Sequence, residues 1–219
     1  MSKPVTRNDR RKNRKKPLVA IRLDEMVKIL SVCAPLRPGR ASELSAARLR
    51  AAIVILDRTG IRISELLDLV ESDLTPEDGT IVIRNGKGGK RRIVGMDQWG
   101  WQELNRWLMI RNDEVPTGYL LPVIQGSTAG SLWADCDVRR QLKATAQRAG
   151  IRHTAHPHAW RHGFAIRARR DGIDLFTLQG QLGHSDLSTT EIYFDAIDPV
   201  DRLKPIIMRP APMIELPHL

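Results

Sequence analysis

The apolar residues of this chain leave helical spacing in only one stretch. They recur at helical spacing through LDEMVKILSV (23–32), SELSAARLRAAIVILDR (42–58) and ISELLDLV (63–70). They become strand-like in TIVIRN (80–85) and KRRIVGM (90–96), and return to helical spacing from WQELNRWL (101–108) onward. The pattern predicts a mainly α chain with one small antiparallel β-hairpin, an α+β fold, and it contains no internal repeat.

Punctuation between these runs supports the division. Gly86-Lys87-Gly88-Gly89 separates the two β-favouring runs and reads as a hairpin connection. An aspartate is expected to cap the first helix, and Thr59-Gly60 to end the second. Trp101, Leu104 and Leu108 share one helical face, which predicts core packing. From Asp135 or Asp137 a helix runs through VRRQLKATAQRA to a stop at Gly150, and another starts near His156-Pro157. DLFTLQGQLG follows as a short helix, and Ser188 with Glu191 forms a capping box that starts one more, with Tyr193 in its second turn.

The chain has 219 residues and a formal charge of +10, unevenly placed. Residues 1 to 16 hold eight Lys or Arg and one Asp, a local +7, which leaves only +3 for the remaining 203 residues. A segment so polar is expected to be a disordered arm over residues 1–17. Its functional reading is contact with nucleic-acid phosphates through Arg10, Arg11, Lys12, Arg14, Lys15 and Lys16, and its bland reading is a solubilising tail. Residues 18–199 are expected to form the folded domain. The last 20 residues contain four prolines and cannot form one long helix, yet Ile206, Ile207 and Met208 want an apolar surface. That surface is this chain's own or a neighbouring subunit's.

Cys33 and Cys136 match no metal or redox spacing, and Cys33 is expected to be a buried thiol. No apolar run approaches the ~18 residues of a membrane span, and the arm lacks the apolar region of a secretory signal. The expected setting is cytoplasmic.

Four segments concentrate polar side chains beyond what packing needs. Arg62 stands at a helix start after a glycine break, where the dipole favours anions and a bound phosphate would be welcome. A surface ion pair with Glu65 explains it about as well. Lys87 sits in a glycine-flanked hairpin tip, a common place for a solvated charge. His158 and Arg161 lie three apart on one helical face and could hold an oxyanion between them, or form an ordinary surface pair. His162 lies on another part of that surface and reads as structural. His184 and Tyr193 complete the set. Tyrosine is a weak nucleophile until a base takes its proton and cations stabilise the charge developing on phosphate. Together these residues make a phosphoryl-transfer set in which positive donors do what Mg²⁺ often does. Neither H-E-x-x-H, nor paired cysteines, nor a glycine-rich nucleotide loop occurs, so no metal or cofactor is expected.

TGIRISELLDL, NGKGGKRRIV, HPHAWRHGFA and LGHSDLSTTEIY resemble, in this order, the successive boxes of the tyrosine recombinase (phage integrase) family, with similarity from about residue 20 to 198. The chain looks like compact, single-domain members such as the fimbrial phase-variation invertases, and like the catalytic domain of the Xer recombinases. Trp160 and Gly163 stand where commoner residues occur in the third box.

The resemblance implies a mainly helical catalytic domain that cleaves double-stranded DNA one strand at a time, as a tetramer on DNA, without metal or ATP. Tyr193 would form a 3′-phosphotyrosyl bond, and Arg62 and Arg161 would clamp the non-bridging oxygens. His184 would donate to one of them, Lys87 would protonate the leaving 5′-oxygen, and His158 would serve as base. Glu65 would support the site, while Lys90 and Arg91 in the hairpin join the arm in contacting DNA. Two other outcomes fit the same residues: relaxation of supercoils in the manner of a type IB topoisomerase, and a DNA-binding accessory or regulatory protein that does not cut. Accessory DNA-binding proteins are further expected partners, and the nucleoid the expected place.

Overall fold

The computed structural model of the chain describes residues 18–111, 114–115, 118–153, 155–184 and 193, except for the Lys87 side chain. The expected basic arm, the Ser188–Glu191 capping box and the tail with Ile206, Ile207 and Met208 lie outside the described residues.

The first helix, α1 (Leu23–Ser31), buries Met26, Ile29 and Leu30. Its cap is Arg22 rather than an aspartate: Glu25 reaches back to accept the Arg22 backbone N–H at 2.9 Å, and Asp24 falls in the first turn. Helix α2 (Arg40–Thr59) is the central strut, starting two residues before the apolar period suggests. Its residues 51–56 are all buried, and Ile53, Ile55 and Leu56 each contribute roughly 1.5–3 kcal/mol through removal of apolar surface from water. Gly60 ends it at φ +65°, where a Cβ would also strike the Phe164 ring at 2.4 Å. Glycine is therefore needed there twice over.

The chain re-enters a helix at once in α3 (Ile63–Leu67). Next come β1 (Leu74–Thr75), β2 (Thr80–Ile83) and β3 (Arg92–Gly95), an antiparallel sheet in the order β1-β2-β3. The predicted hairpin is β2–β3, paired Ile81↔Val94 and Ile83↔Arg92. The two-residue β1 is too short to show a period in the sequence.

Helix α4 (Gln98–Arg111) buries Trp101, Leu104 and Trp107, whose indole donates to the Leu120 carbonyl at 2.9 Å. Its inward stripe thus runs through Trp107, with Leu108 only partly buried at its flank. Helix α5 (Asp135–Arg148) starts at the first of the two candidate aspartates. Helix α6 (Pro157–Arg170) has Pro157 in its first turn and His156 as cap, accepting the Ala159 N–H at 3.1 Å. Helix α7 (Leu175–Leu182) is capped by Asp174 and stopped by Gly183 at φ +64°.

Two contacts fix α6 against the rest. The Ile21 peptide donates to the Ala159 carbonyl at 2.9 Å and accepts from Arg167 at 2.9 Å, an approach so close that a Cβ on Gly163 would lie 2.2 Å from the Ile21 oxygen. Arg167 also reaches the fully buried Asp57 of α2 at 2.5 Å. Cys33 is half-buried, and burial pushes its thiol up to about 11, so it stays protonated at neutral pH. No described helix is long and apolar enough to cross a membrane.

Candidate active site

Three segments meet at one place: the Gly60 break before α3, the second turn of α6, and the end of α7. Arg62, in extended conformation just before α3, donates from Nη2 to the Gly183 carbonyl at 3.0 Å. Arg161 of α6 donates to the Gly60 carbonyl at 2.8 Å and to the Leu182 carbonyl at 2.6 Å. Both arginines therefore grip the C-terminal end of α7, the negative end of its dipole, directly before His184. His184 is itself seated by its backbone N–H on the Gln179 carbonyl at 3.2 Å and by Gln179 Nε2 on its own carbonyl at 3.2 Å.

Glu65 is buried behind this cluster and accepts from the Arg62 guanidinium at 2.8 Å and from the Arg62 backbone at 2.8 Å. The Arg62–Glu65 pair is thus an interior one rather than the surface pair that the sequence equally allowed. Burial raises the Glu65 carboxyl, but hydrogen bonds from Arg92 and Arg62 outweigh it and hold the group below its usual range.

Arg161 is 4% exposed and bonds only neutral carbonyls. Burial first, and the neighbouring Arg62 second, push its guanidinium down to about 10. A buried cation without its own carboxylate is costly, and an incoming anion removes that cost. Burial, then Arg161, Arg62 and Arg92, push His184 down to about 4, so at pH 7 it is a neutral N–H donor.

Tyr193 is 1% exposed, packed with Ala165, Ala168, Leu178 and Leu182. Its hydroxyl lies 3.0 Å from Nδ1 of His162. Burial, then His158, His156 and Arg161, push His162 down to about 4. The ring is neutral at pH 7 and, in the tautomer protonated on Nε2, offers Nδ1 as acceptor to the phenol. Burial raises the phenol above its usual value, and Arg161 opposes this. His158 stands one turn away, its ring centroid 6.4 Å from that of His162. His158 too is lowered, by burial and then by His156 and Arg161.

Arg62, Arg161, His184 and Glu65 thus come together as one cluster, and Tyr193 is anchored on the helix that carries Arg161. The Lys87 side chain lies outside the described residues, with its backbone in the single turn at the hairpin tip. Lys90 and Arg91 are exposed on that hairpin. Arg10, Arg11, Lys12, Arg14, Lys15 and Lys16 lie outside the described residues.

The sequence alone reads His162 as structural and assigns no site role to Arg92. His162 is the tyrosine's neighbour rather than a structural bystander, and no local signal could reveal it, because its partner is 31 positions away in the chain. Arg92 did carry a signal. Strand alternation puts it on the same face as Val94, which is buried, while Ile93 between them is exposed. An arginine on the inward face of a strand demands an acidic partner, and that partner is Glu65. Among the described residues no three His, Cys, Asp or Glu side chains gather as a metal cluster.

The profile of the phage integrase family matches residues 20–198. The chain belongs to this family. Its similarity to the tyrosine recombinase XerA of Thermococcus kodakarensis is 36% identity over 174 residues, covering 80% of this chain and 57% of that protein. To XerD of Brucella abortus it is 33% over 213 residues, 92% of this chain and 66% of that one. The chain therefore spans about half to two thirds of the length of the curated relatives it matches. Among solved structures, the fold is similar to XerH, a site-specific recombinase bound to its palindromic difH substrate in a post-cleavage complex. The TM-score is 0.69 at 29% identity, covering 89% of this chain and 54% of that chain. The mainly helical fold with a small antiparallel sheet that the sequence predicts is thus the fold of this recombinase family.

Proposed function

We infer that this phage integrase family member cuts and rejoins double-stranded DNA through a 3′-phosphotyrosyl intermediate on Tyr193. The observation that carries this reading is the buried Arg161 guanidinium, bonded only to carbonyls, beside Arg62 and the neutral N–H donor His184. Such a cluster is built for a doubly liganded oxyanion, and a nucleophile is tethered to the same helix.

In the proposed step a phosphodiester enters the cluster, and Arg62 and Arg161 neutralise its non-bridging oxygens. The Tyr193 oxygen attacks phosphorus, its proton passes to His162 Nδ1, and the bond to the 5′-oxygen breaks. Lys87 returns a proton to that oxygen, and His158 sits behind His162 on the proton path. A 5′-hydroxyl reverses the step, so the phosphodiester energy is conserved and neither ATP nor metal is called for.

The reading extends to a tetramer on DNA, with the basic arm of residues 1–16 on the phosphate backbone and the apolar tail of residues 200–219 against a neighbouring copy. Accessory DNA-binding proteins assist it, and its setting is the bacterial cytoplasm at the nucleoid. What supports this extension is the +7 charge of the arm and the apolar run around Ile206.

The test is a denaturing-gel assay of nicked DNA substrates taken from around the gene, with wild type and Tyr193→Phe. Wild type should trap a protein–DNA adduct, and Tyr193→Phe should bind the same DNA with equal affinity and trap none. An adduct persisting in Tyr193→Phe would overturn the reading.

A further inference from the structure

Three successive carbonyls at the end of α7 and its Gly183 cap each take a different arginine. Gln181 accepts from Arg92 Nε at 3.2 Å, Leu182 from Arg161 at 2.6 Å, and Gly183 from Arg62 at 3.0 Å. Two of these arginines belong to the proposed oxyanion cluster. The third, Arg92, comes from β3 and cannot be explained by the sheet.

Arg92 also closes on Glu65, both guanidinium nitrogens meeting both carboxylate oxygens at 2.8 Å. With the backbone N–H and Nη1 of Arg62, this gives Glu65 four hydrogen bonds, enough to saturate a carboxylate. The Glu65 side chain is 1% exposed and that of Arg92 is 13% exposed, so the pair is interior and its fork geometry is fixed. If Arg92 were missing, Glu65 would keep only Arg62 as a cationic hydrogen-bond partner, and Arg62 would be drawn toward that duty.

Two glycines leave room for this guanidinium. A Cβ on Gly183 would lie 2.9 Å from Arg92 Cζ and Nε, and one on Gly86 would lie 3.1 Å from Arg92 Nη1. Arg92 is thus threaded between the loop before His184 and the start of the hairpin turn. Opposite it in the sheet stands Ile83, and from this pair hangs the turn that carries Lys87.

We propose that Arg92 is a positioning residue of the active site: by saturating Glu65 and bonding Gln181, it keeps Arg62, the His184 loop and the base of the Lys87 hairpin in register on one phosphate. The proposal rests on the DNA-cleaving reading above for its kinetic consequence and on the contacts alone for its structural one. Arg92 touches no reacting atom in this scheme. It frees Arg62 to act on substrate by satisfying the carboxylate that would otherwise monopolise it.

The experiment compares wild type, Arg92→Met and Arg92→Lys in single-turnover adduct formation on DNA at saturating protein, with melting curves recorded for each. Two substrates are used, one with a normal scissile phosphodiester and one with a methylphosphonate, which lacks one anionic oxygen. Misplacing a positioned group costs on the order of 100-fold in rate. Arg92→Met should show that loss on the phosphodiester with unchanged DNA affinity, and a clearly smaller loss on the methylphosphonate, where less charge needs neutralising. Arg92→Lys, which keeps the charge without the fork, should fall between and serves if Arg92→Met fails to fold. Equal loss on both substrates, or no loss, would overturn the proposal.

A second readout separates this from the activity itself. If wild type forms no adduct on any DNA, the cleavage reading fails, and the ¹⁵N spectrum of the Arg62 guanidinium decides the positioning role. Its proton exchange should quicken on the order of tenfold in the Arg92 variants as the local structure opens more often. Unchanged exchange would overturn the proposal even then.

Discussion

His162 and His184 titrate far from a free imidazole. Each has an ordinary value of 6.5 and is pushed down to about 4 in the fold, first by burial. An NMR titration of the ring protons should place both midpoints near pH 4 rather than near 6.5. The linkage follows in sign: between these values the unfolded chain binds more protons than the folded one, so stability rises with pH. Their contribution is therefore complete above pH 6.5 and drains away as pH falls toward 4. Midpoints near 6.5 would show that the rings are solvated rather than desolvated inside the site. Replacing the acceptor proposed for Tyr193, in His162→Phe, should slow adduct formation by roughly 10²- to 10⁴-fold, the range of a general base, without loss of DNA affinity. A normal rate would move the proton elsewhere. At this scale residue type draws attention to Arg62, Arg161, His184 and Tyr193, and the fold brings the two arginines together at the end of α7 before His184. The sequence was illegible where two distant segments meet, as for His162, whose role depends on a tyrosine that the fold brings across from beyond α7.

Among the elements, α2 and α6 are the pair on which the site depends, because one ends at Gly60 and the other carries Arg161. Their clamp is the buried pair of Asp57 and Arg167. Arg167→Met leaves the buried carboxylate only the longer ion pair with Arg58 at 3.8 Å, a change that costs up to about 3–5 kcal/mol, and chemical denaturation should read that loss. A loss below about 1 kcal/mol would mean that Asp57 protonates and stays content, a direction its burial already favours. The helices and the hairpin were readable because their periods persist over several turns or several paired residues. The caps were less so. Arg22 occupies a cap without a capping side chain of its own, since Glu25 three residues later supplies the hydrogen bond, and the aspartate nearby drew attention instead. Strand β1 escaped because two residues, Leu74 and Thr75, cannot display an alternation.

For the molecule as a whole, charge is the dominant fact. Among the described residues, Arg62 and Arg92 pair with the Glu65 carboxylate, and the Arg161 guanidinium lies beside them on backbone carbonyls. Residues 1–16 carry +7. DNA affinity should therefore fall steeply with salt, and deleting residues 2–16 should flatten the log–log slope, by up to about seven units when all eight cations contact phosphates at ~0.9 each. An unchanged slope would assign the arm to solubility. The burial of Tyr193 adds a constraint on how such a complex works: a phenol at 1% exposure meets DNA only after local rearrangement. Its reactivity toward a small nitrating reagent should accordingly be low in the free protein and should rise on DNA.

The most direct measurement is mass spectrometry of the covalent product: trap wild type on a nicked duplex, digest protein and DNA, and sequence the peptide that carries nucleotide mass. The proposed chemistry requires the nucleotide on Tyr193, joined through its 3′-phosphate. Attachment at any other residue, or through a 5′-phosphate, would contradict it.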